Sequence, residues 1–391
     1  MSRRDSYHLF WRVLLATVQL ERLPTAIVAL VLAFLAWSVG VLWSRLNLAI
    51  AYGAGLLQLA SSLGDWALLA LLVARGRSYG PVKPPLLGLA FVRSFLGALL
   101  ATLARSALAA GPEWLFLDLL LQAGLSALAI YATWIEPFRL GLTEVALNSP
   151  RLGRPGRPIR LLHLADLHLE RITLRERQLL ALMERIQPDL IVFTGDVLNL
   201  SFVRDLQAVE EARTLMRHWR APYGVYAVRG SPLVDVDGWV ERIYAGLDHI
   251  AFLRDEVRVV NVGGRSIAIV GVECTHERAD DLPRLRQVLA CVPAGVYTVL
   301  LYHSPDLAPE AAAWGVDLYL CGHTHGGQIR LPLIGALHTS SAWWKRFEMG
   351  RYQVGRMALY VSRGIGMEGM SAPRARFLAP PEITLFTLDG G

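Results

Sequence analysis

The sequence predicts an α/β protein in which a four-helix transmembrane region precedes an α/β core with a β-rich tail. Four apolar stretches lie before residue 137. Beyond residue 158, short strand-like runs alternate with helical stretches, and polar residues gather directly after the strands. We therefore expect residues 1–136 to form the transmembrane region, residues 137–158 a linker with a first strand, and residues 159–391 a carboxy-terminal domain.

The four apolar stretches span residues 23–43, 46–73, 85–109 and 114–135. Each is long enough to cross a bilayer, which takes about 20 residues. In a four-span arrangement, most of the flanking arginine and lysine residues fall on one side of the membrane. Those before the first stretch are Arg3, Arg4, Arg12 and Arg22. The positive-inside rule then places both termini and the carboxy-terminal domain in the cytoplasm. The alternative places that domain outside, if one stretch fails to insert.

The third stretch is unusual because Arg93 and Arg105 interrupt it. Charges inside a membrane are costly and are usually paired or face a cavity. In a four-span arrangement Arg93 lies at the depth of Asp65, and Arg105 at the depth of Asp118. We expect these two pairs to be interhelical contacts. The alternative is that both arginines extend to the membrane interfaces.

Composition narrows the class of protein. The chain of 391 residues is 53% hydrophobic and 18% charged, which is too apolar for a soluble protein throughout. Its net charge of +6 comes partly from arginines that flank apolar stretches, and basic and aromatic residues do not interleave. This pattern indicates membrane topology and argues against nucleic-acid binding. The three cysteines have no paired spacing, so no disulfide framework is expected.

The carboxy-terminal half shows a series of strands and helices after the proline- and glycine-rich stretch 150–158. Helical periodicity predicts helices over 174–186 and 204–219. Apolar, β-rich runs predict strands over 142–147, 159–165, 189–194, 225–229, 266–272, 297–303, 317–320, 358–362 and 382–388. The last two strands have no helix between them and form the β-rich tail.

Polar residues follow five of these strands. They are Asp166 with His168, Asp196, Ser231, His303, and His323 with His325. The carboxyl ends of strands in α/β sheets are where sites form. Carboxylates and imidazoles together suit Mn, Fe or Zn, and six ligands exceed what one tetrahedral site needs. A two-metal centre with a bridging aspartate follows. A lone strand-end aspartate is more often a cap, and a lone histidine a satisfied polar group, but the ordered set favours the metal centre.

The order D-x-H, GD, H and GHTH resembles the calcineurin-like metallophosphoesterase family. The stretches DLHLE, FTGD, YHSPD, CGHTHGGQIRLP, YVSRGIG and PPEITL are similar to its membrane-associated bacterial phosphodiesterase branch, over roughly residues 140–389. The resemblance implies a two-sheet α/β sandwich of mixed sheets flanked by helices, with a binuclear site at one edge, in a protein of a bacterial cell membrane. It also implies that the first ion is held by Asp166, His168 and His325, that Asp196 bridges, and that the second ion is held by His303 and His323.

The third motif departs from the family pattern. Where the family has GNH followed by an acidic residue, this chain has Gly230-Ser231-Pro232-Leu233. The asparagine that ligates the second ion becomes Ser231, a poor neutral ligand, and the histidine beside the phosphate becomes Pro232, which cannot titrate. We expect a weakened second site and a rate lowered by about 100- to 10,000-fold through loss of the acid. Arg229, Asp235 and Asp237 are candidates to compensate, unless they form a solvated loop.

The remaining histidines near these motifs, His163 and His276, are expected to be structural. Arg229 is the candidate to stabilise phosphoryl charge, and Asp196 to act in catalysis with the metals.

The resemblance implies a metal-dependent hydrolase of phosphoester or pyrophosphate bonds. The four predicted spans favour a membrane-associated, amphiphilic phosphorylated substrate. Related enzymes include hydrolases of UDP-2,3-diacylglucosamine in lipid A biosynthesis, so a nucleotide-lipid pyrophosphate is one candidate. The alternative is a catalytically weak or silent membrane protein that keeps the fold to bind a phosphorylated ligand or partner, as the change at Ser231 and Pro232 suggests.

Overall fold

The computed structural model describes residues 12–106 and 111–391. Within this part of the chain there are two compact units. One holds the described residues up to Ile135 together with residues 369–374, and the other holds residues 136–368 and 375–391. Arg3, Arg4 and the end of the third predicted stretch, residues 107–109, lie outside the described residues.

The first unit is built from four long helices. They are α1 (Thr25–Trp43), α2 (Leu48–Ala74), α3 (Lys83–Ser106) and α4 (Glu113–Ile130). A π-helical turn, Tyr131–Ile135, continues α4. The Asn47 side chain caps α2 by accepting the N–H of Ile50 at 3.1 Å. All four helices are long and apolar enough to cross a membrane, which confirms that part of the prediction. Their orientation stays a prediction.

Arg93 and Asp65 form the predicted pair. Arg93 Nε lies 2.7 Å from Asp65 Oδ2, and Nη2 lies 2.8 Å from Oδ1. The guanidinium also donates to the backbone carbonyl of Gln122 and to the hydroxyl of Ser126, both at 2.9 Å. Each face of this buried charge therefore has a polar partner, as an ion inside an apolar bundle requires.

The second predicted pair, Arg105 with Asp118, is wrong. Arg105 Nη2 donates to the backbone carbonyl of Leu42 at 2.6 Å. Asp118 instead accepts a hydrogen bond from the Gln122 side chain, one helical turn away, at 3.3 Å. Equal depth in the membrane fixes the height of two residues but not the direction in which each helix presents them, so depth alone could not establish the contact.

The second unit contains fourteen strands. In chain order they are β1 (Gly141–Ser149), β2 (Ile159–Leu164), β3 (Leu190–Phe193), β4 (Val225–Val228), β5 (Ile250–Leu253), β6 (Glu256–Val262), β7 (Arg265–Gly271), β8 (Tyr297–Leu301), β9 (Leu318–Cys321), β10 (Arg330–Leu331), β11 (Gly335–Ala336), β12 (Gly350–Val354), β13 (Met357–Val361) and β14 (Glu382–Gly390). They form two six-stranded mixed sheets, ordered β1-β14-β2-β3-β4-β5 and β12-β13-β9-β8-β7-β6, and a hairpin of β10 and β11.

Five helices accompany these sheets. They are α5 (Leu174–Ile186), α6 (Leu206–Met216), α7 (Trp239–Tyr244), α8 (Arg278–Leu289) and α9 (Ala308–Ala313). A reciprocal cap starts α5, because Glu176 Oε2 accepts the N–H of Thr173 at 2.8 Å while the Thr173 hydroxyl accepts the N–H of Arg175.

The two sheets pack face to face with helices on both outer sides. Alternate side chains of a strand point to opposite faces. Leu161 of β2 therefore joins the core between the sheets, with Val299 of β8, whereas Leu162 joins the core beneath α5 and α6. A third core lies between the second sheet and the helices α8 and α9. This arrangement confirms the predicted α/β class of two mixed sheets flanked by helices.

Several elements carry too weak a pattern to be predicted. Strand β6 lies at the edge of its sheet and has exposed, charged positions, so it lacks an apolar run. Helix α8 contains Pro283 in its interior, which disfavours a helical prediction for this stretch. Strands β5 and β12 were likewise not among the predicted strands.

Candidate metal centre

The candidate site lies in loops that follow parallel strands. In the first sheet β2, β3 and β4 run parallel, and in the second sheet β7, β8 and β9 run parallel. Parallel neighbours end at the same edge of their sheet, so the residues that follow them come together. The six predicted ligands are brought into one buried cluster: Asp166, His168, Asp196, His303, His323 and His325.

Backbone strain marks this cluster. Asp166, His168, Asp196, His323 and His325 all have positive φ, between 40° and 69°. Non-glycine residues rarely adopt this conformation, and it tends to occur where function fixes the geometry. These positive φ angles turn the loop sharply after each strand.

The first group of donors is Asp166, His168 and His325, whose ligand atoms all lie within 4.8 Å of one another. The Nε2 atoms of the two imidazoles face each other at 3.0 Å. Asp166 is further fixed by the backbone N–H of His323, which donates to both carboxylate oxygens at 3.0 and 3.1 Å. A divalent ion fits this set of one carboxylate and two imidazoles.

Asp196 lies between the two histidine groups. Its Oδ2 is 3.4 Å from His168 Nε2 and 3.3 Å from His303 Nε2. The backbone N–H of Ser231 donates to the other oxygen, Oδ1, at 2.6 Å. This position is the one that a bridging carboxylate would need.

Backbone carbonyls orient the next two histidines. His303 Nδ1 lies 2.8 Å from the Thr194 carbonyl, and His323 Nε2 lies 3.2 Å from the Ser340 carbonyl. A carbonyl can only accept, so each of these nitrogens carries a proton. The remaining nitrogens, His303 Nε2 and His323 Nδ1, face each other at 3.1 Å. Such partners fix the tautomer of metal-binding histidines in proteins.

His276 belongs to the same cluster, although a structural role is predicted for it from the sequence. Its ligand atom lies within 4.8 Å of those of His303 and His323. Its ring is tilted against His323 with 4.5 Å between centroids, and its φ is +61°. His276 could have been predicted from its position in the loop after β7, because sites form where parallel strands end.

The position where the family pattern has asparagine, Ser231, also points into this cluster. Its hydroxyl lies 3.0 Å from His303 Nε2, 3.1 Å from His276 Nε2 and 3.4 Å from Asp196 Oδ2. The register predicted from the sequence therefore places Ser231 beside the second group of donors. Pro232 follows it and supplies neither a proton nor a backbone donor.

The three candidates to compensate for this change make other contacts. Asp235 accepts the backbone N–H groups of Asp196 and Gly230 on Oδ2, at 3.0 and 2.7 Å. Arg229 donates to the backbone carbonyl of Asp235 and pairs with the exposed Asp237 at 2.8 Å. Asp235 thus holds the loop backbone in place, and the predicted role of Arg229 at the phosphoryl group stays a prediction.

Two glycines allow the loops to approach the carboxylates. A Cβ on Gly230 would overlap Oδ1 of Asp196, and a Cβ on Gly322 would overlap Oδ2 of Asp166. Only glycine leaves room for a carboxylate at these contacts.

The electrostatics of the cluster favour an ionised Asp196 carboxylate paired with the His303 imidazolium. Burial alone would raise the pKa of Asp196, but the charge of His303 and hydrogen bonds from His168 and His303 hold that pKa well below its usual range. Burial would lower the pKa of His303, yet the Asp196 carboxylate raises it to about 9. Burial raises the pKa of Asp166 to about 6. A bound cation would replace the protons that now balance these carboxylates.

His163 lies apart from this chemistry. Its Nε2 lies 2.9 Å from the Thr194 hydroxyl, and burial lowers its pKa to about 3. A neutral buried histidine with a hydroxyl partner is a structural residue, as the sequence argument expected.

Comparisons with known proteins find one family model and several similar sequences. Residues 159–327 match the model of the calcineurin-like phosphoesterase family. The metallophosphoesterase YkuE of Bacillus subtilis, described as uncharacterized, is 32% identical over 304 residues, which cover 76% of this chain and 96% of that protein. Phosphodiesterase YaeI of Escherichia coli is 26% identical over 241 residues, covering 59% of this chain and 82% of its own length.

Among solved structures, a dimetal phosphatase from Danio rerio is similar over 59% of this chain and 98% of its own length. Its TM-score is 0.33 and its sequence identity is 12%.

Proposed function

Because the chain belongs to the calcineurin-like metallophosphoesterase family, we propose that it is a binuclear metal-dependent hydrolase of a phosphoester or pyrophosphate bond in an amphiphilic substrate. The observation that carries the proposal is the convergence of two carboxylates and four imidazoles at strand ends: Asp166, Asp196, His168, His303, His323 and His325. Mn, Fe or Zn suits such a donor set.

Bound ions would supply Lewis acidity at the phosphoryl oxygens and lower the pKa of a water molecule to near neutrality. Asp196 is placed to be shared between the two donor groups, because one oxygen faces both His168 and His303. Asp235 keeps Asp196 in that position through its backbone. Arg229 adds a positive charge at the start of the Gly230-Ser231 loop and is proposed to stabilise phosphoryl charge.

An apolar hairpin beside the centre supports an amphiphilic substrate. Strands β10 and β11 form this hairpin directly after the loop of His323 and His325. Leu333 at its tip is fully exposed, and Ile334 is 58% exposed. Leu333 also has a φ of +66°, which disfavours any residue but glycine. Exposed apolar patches of this kind mark binding surfaces, and here the ligand would be the apolar chain of the substrate.

The hairpin is joined to the donor cluster. A Cβ on Gly327 would overlap Ala336 of β11, so the two backbones are in close contact. A few residues further on, the Ser340 carbonyl accepts the Nε2 proton of His323. A substrate chain held on the hairpin would therefore lie near the phosphoryl site. The four helices that could cross a membrane give a second reason to expect a lipid-like substrate.

The hydrolase proposal is tested with purified full-length protein in detergent and Mn²⁺. Hydrolysis of bis(p-nitrophenyl) phosphate is compared between the native chain, Asp196→Ala and the near-isosteric Asp196→Asn. The proposal predicts a loss of at least about 100-fold in kcat/KM for both variants, as removal of a group central to metal catalysis requires. Equal rates in all three proteins would overturn it.

The amphiphile proposal needs two substrates with the same reacting bond, p-nitrophenyl hexadecyl phosphate and p-nitrophenyl methyl phosphate. Leu333→Asp combined with Ile334→Asp should lower kcat/KM about tenfold or more for the long chain alone, because full burial of one leucine or isoleucine side chain contributes about 1.5–3 kcal/mol. Leu206→Asp, at an exposed leucine that begins α6, is the matched control. Equal losses on both substrates would contradict the hairpin's role.

A catalytically silent binding protein is the second candidate, and the replacement of the family's Asn-His by Ser231-Pro232 favours it. It predicts metal uptake and binding of a phosphodiester without turnover. Restoring the pair with Ser231→Asn and Pro232→His should then produce hydrolysis where the native chain shows none. If the native chain is active, the same variant should raise its rate.

A further inference from the structure

We propose that His276 is a ligand of the second metal ion and replaces the asparagine that Ser231 has displaced. The inference rests on the proposed binuclear site and deepens it. It assigns a metal-binding role to a residue outside the family motifs, and it makes the second donor group Asp196, His276, His303 and His323.

The sheet brings the three imidazoles together. Strands β7, β8 and β9 are neighbours and run parallel. His276, His303 and His323 each follow one of these strands, in that order. Three adjacent strand ends thus present three imidazoles to one point at the sheet edge, which is the arrangement that builds sites in α/β sheets.

The distances suit a shared ion. The donor atoms of the three imidazoles lie within 4.8 Å of one another, and His303 Nε2 and His323 Nδ1 are 3.1 Å apart. Two nitrogens bound to one zinc ion lie no more than about 4.2 Å apart, given bond lengths of about 2.1 Å. The 4.8 Å within which all three donor atoms lie exceeds this limit by only about 0.6 Å. Asp196 Oδ2 completes the set at 3.3 Å from His303 Nε2.

His276 also lies beside the position of the missing ligand. Its Nε2 lies 3.1 Å from the Ser231 hydroxyl, so the two side chains meet at the position where the family pattern has an amide. Serine is shorter than asparagine, and the imidazole reaches into the space beside it from the opposite sheet. The amide ligand of the family pattern is thus replaced by an imidazole, which binds transition metals better.

The backbone of His276 agrees with this role. Its φ of +61° falls in the range shared by Asp166, His168, Asp196 and the two histidines of the GHTH motif. Non-glycine residues rarely adopt this conformation, and it tends to occur where function fixes the geometry.

The count of bound metal tests the inference without reference to activity. Full-length protein is loaded with Mn²⁺, freed of excess ion by gel filtration, and analysed by elemental mass spectrometry. The native chain should hold two ions, His276→Ala should hold one, and the exposed control His218→Ala should hold two. Electron paramagnetic resonance should show a coupled Mn pair in the native chain and an isolated ion in His276→Ala.

A reciprocal variant guards against a trivial folding defect. In His276→Ala combined with Ser231→Asn, the family's amide ligand returns, and the second ion and the coupled spectrum should return with it. Two ions in His276→Ala would overturn the inference, as would one or none in the native chain. Recovery of neither ion nor spectrum in the double variant would also count against it.

Metal content and hydrolysis report on different properties of the site. A loss of one ion from His276→Ala supports the ligand role even if no phosphodiester is hydrolysed. If His276→Ala keeps two ions but loses the acidic or basic limb of its pH–rate profile, the residue transfers protons and the ligand role is overturned, while the hydrolase proposal stands.

Discussion

Asp235 Oδ2 accepts the backbone N–H of Asp196 at 3.0 Å and thereby holds the central carboxylate of the site in place. The same oxygen accepts the N–H of Gly230, and Oδ1 accepts the N–H of Val197 at 3.0 Å. One buried side chain therefore ties the loop after β3 to the loop after β4. Asp235 touches no predicted donor atom, so it is a positioning residue.

Replacement of Asp235, which acts as a clamp on the two loops, should weaken metal binding. Asp235→Asn directs an amide N–H at a backbone N–H that now has an acceptor, and loss of such supporting contacts typically costs about 10–100-fold in metal affinity. The measurement is competition for Mn²⁺ or Zn²⁺ with a fluorescent chelator. Asp237→Asn is the control, because that carboxylate is exposed and its surface pair with Arg229 contributes little. Equal affinities for Asp235→Asn and the native chain would refute the clamp.

Gly230→Ala should damage the site through sterics alone. Its Cβ would overlap Asp196 Oδ1 and the Asp196 backbone, so the carboxylate must move. We expect loss of one or both bound ions at an otherwise saturating concentration. Gly156→Ala is the matched control, since a Cβ there meets no atom within 4 Å. Unchanged metal content in Gly230→Ala would show that the loop has more freedom than its contacts indicate.

The Arg93–Asp65 pair should behave as one unit. Breaking a buried pair leaves an uncompensated charge and costs about 3–5 kcal/mol, whereas removing both charges is far less harmful. In detergent, Arg93→Leu and Asp65→Leu should each lower the Tm, and the double variant should unfold at a higher temperature than either single variant. Additive losses in the double variant would indicate that the two side chains act independently.

His163 should make stability depend on pH. Its folded pKa of about 3 lies below the usual 6.5, so the unfolded chain binds more protons between these values. Stability from the neutral ring is fully present above pH 6.5 and falls as the pH drops toward 3, by about 2 kcal/mol at pH 5. The decrease in Tm between pH 7.5 and 5.0 should be smaller in His163→Gln. An unchanged decrease would assign the pH dependence to other groups.

Local sequence patterns were enough to predict the class of the fold and the positions of most site residues. Strand-end aspartates and histidines stand out because the strands before them are apolar, as at Asp166 and His303. His276 was missed because four residues separate it from the end of β7 and its partners come from other strands. The predicted pairing of Arg105 was wrong because the contact depends on how each helix is rotated about its axis. Depth in the membrane, estimated from the sequence, does not determine that rotation.

The surroundings of Leu333 in the hairpin and of Asp235 could not be predicted from the sequence either. Neither Leu333 nor Asp235 carries a pattern that reveals its surroundings, since exposure and backbone contacts are set by packing between distant segments. Local periodicity predicts helices and strands. Which of several neighbouring polar residues bind one ion depends instead on their distances in the folded protein.

We expect two ions to act together in one centre of this chain, which a metal titration can establish. Metal-free full-length protein is titrated with Mn²⁺ while hydrolysis of bis(p-nitrophenyl) phosphate and bound metal are measured in the same samples. Activity should rise until two ions are bound per chain, and Asp196→Asn should stay inactive throughout. Full activity at one bound ion, or activity that does not depend on metal, would contradict it.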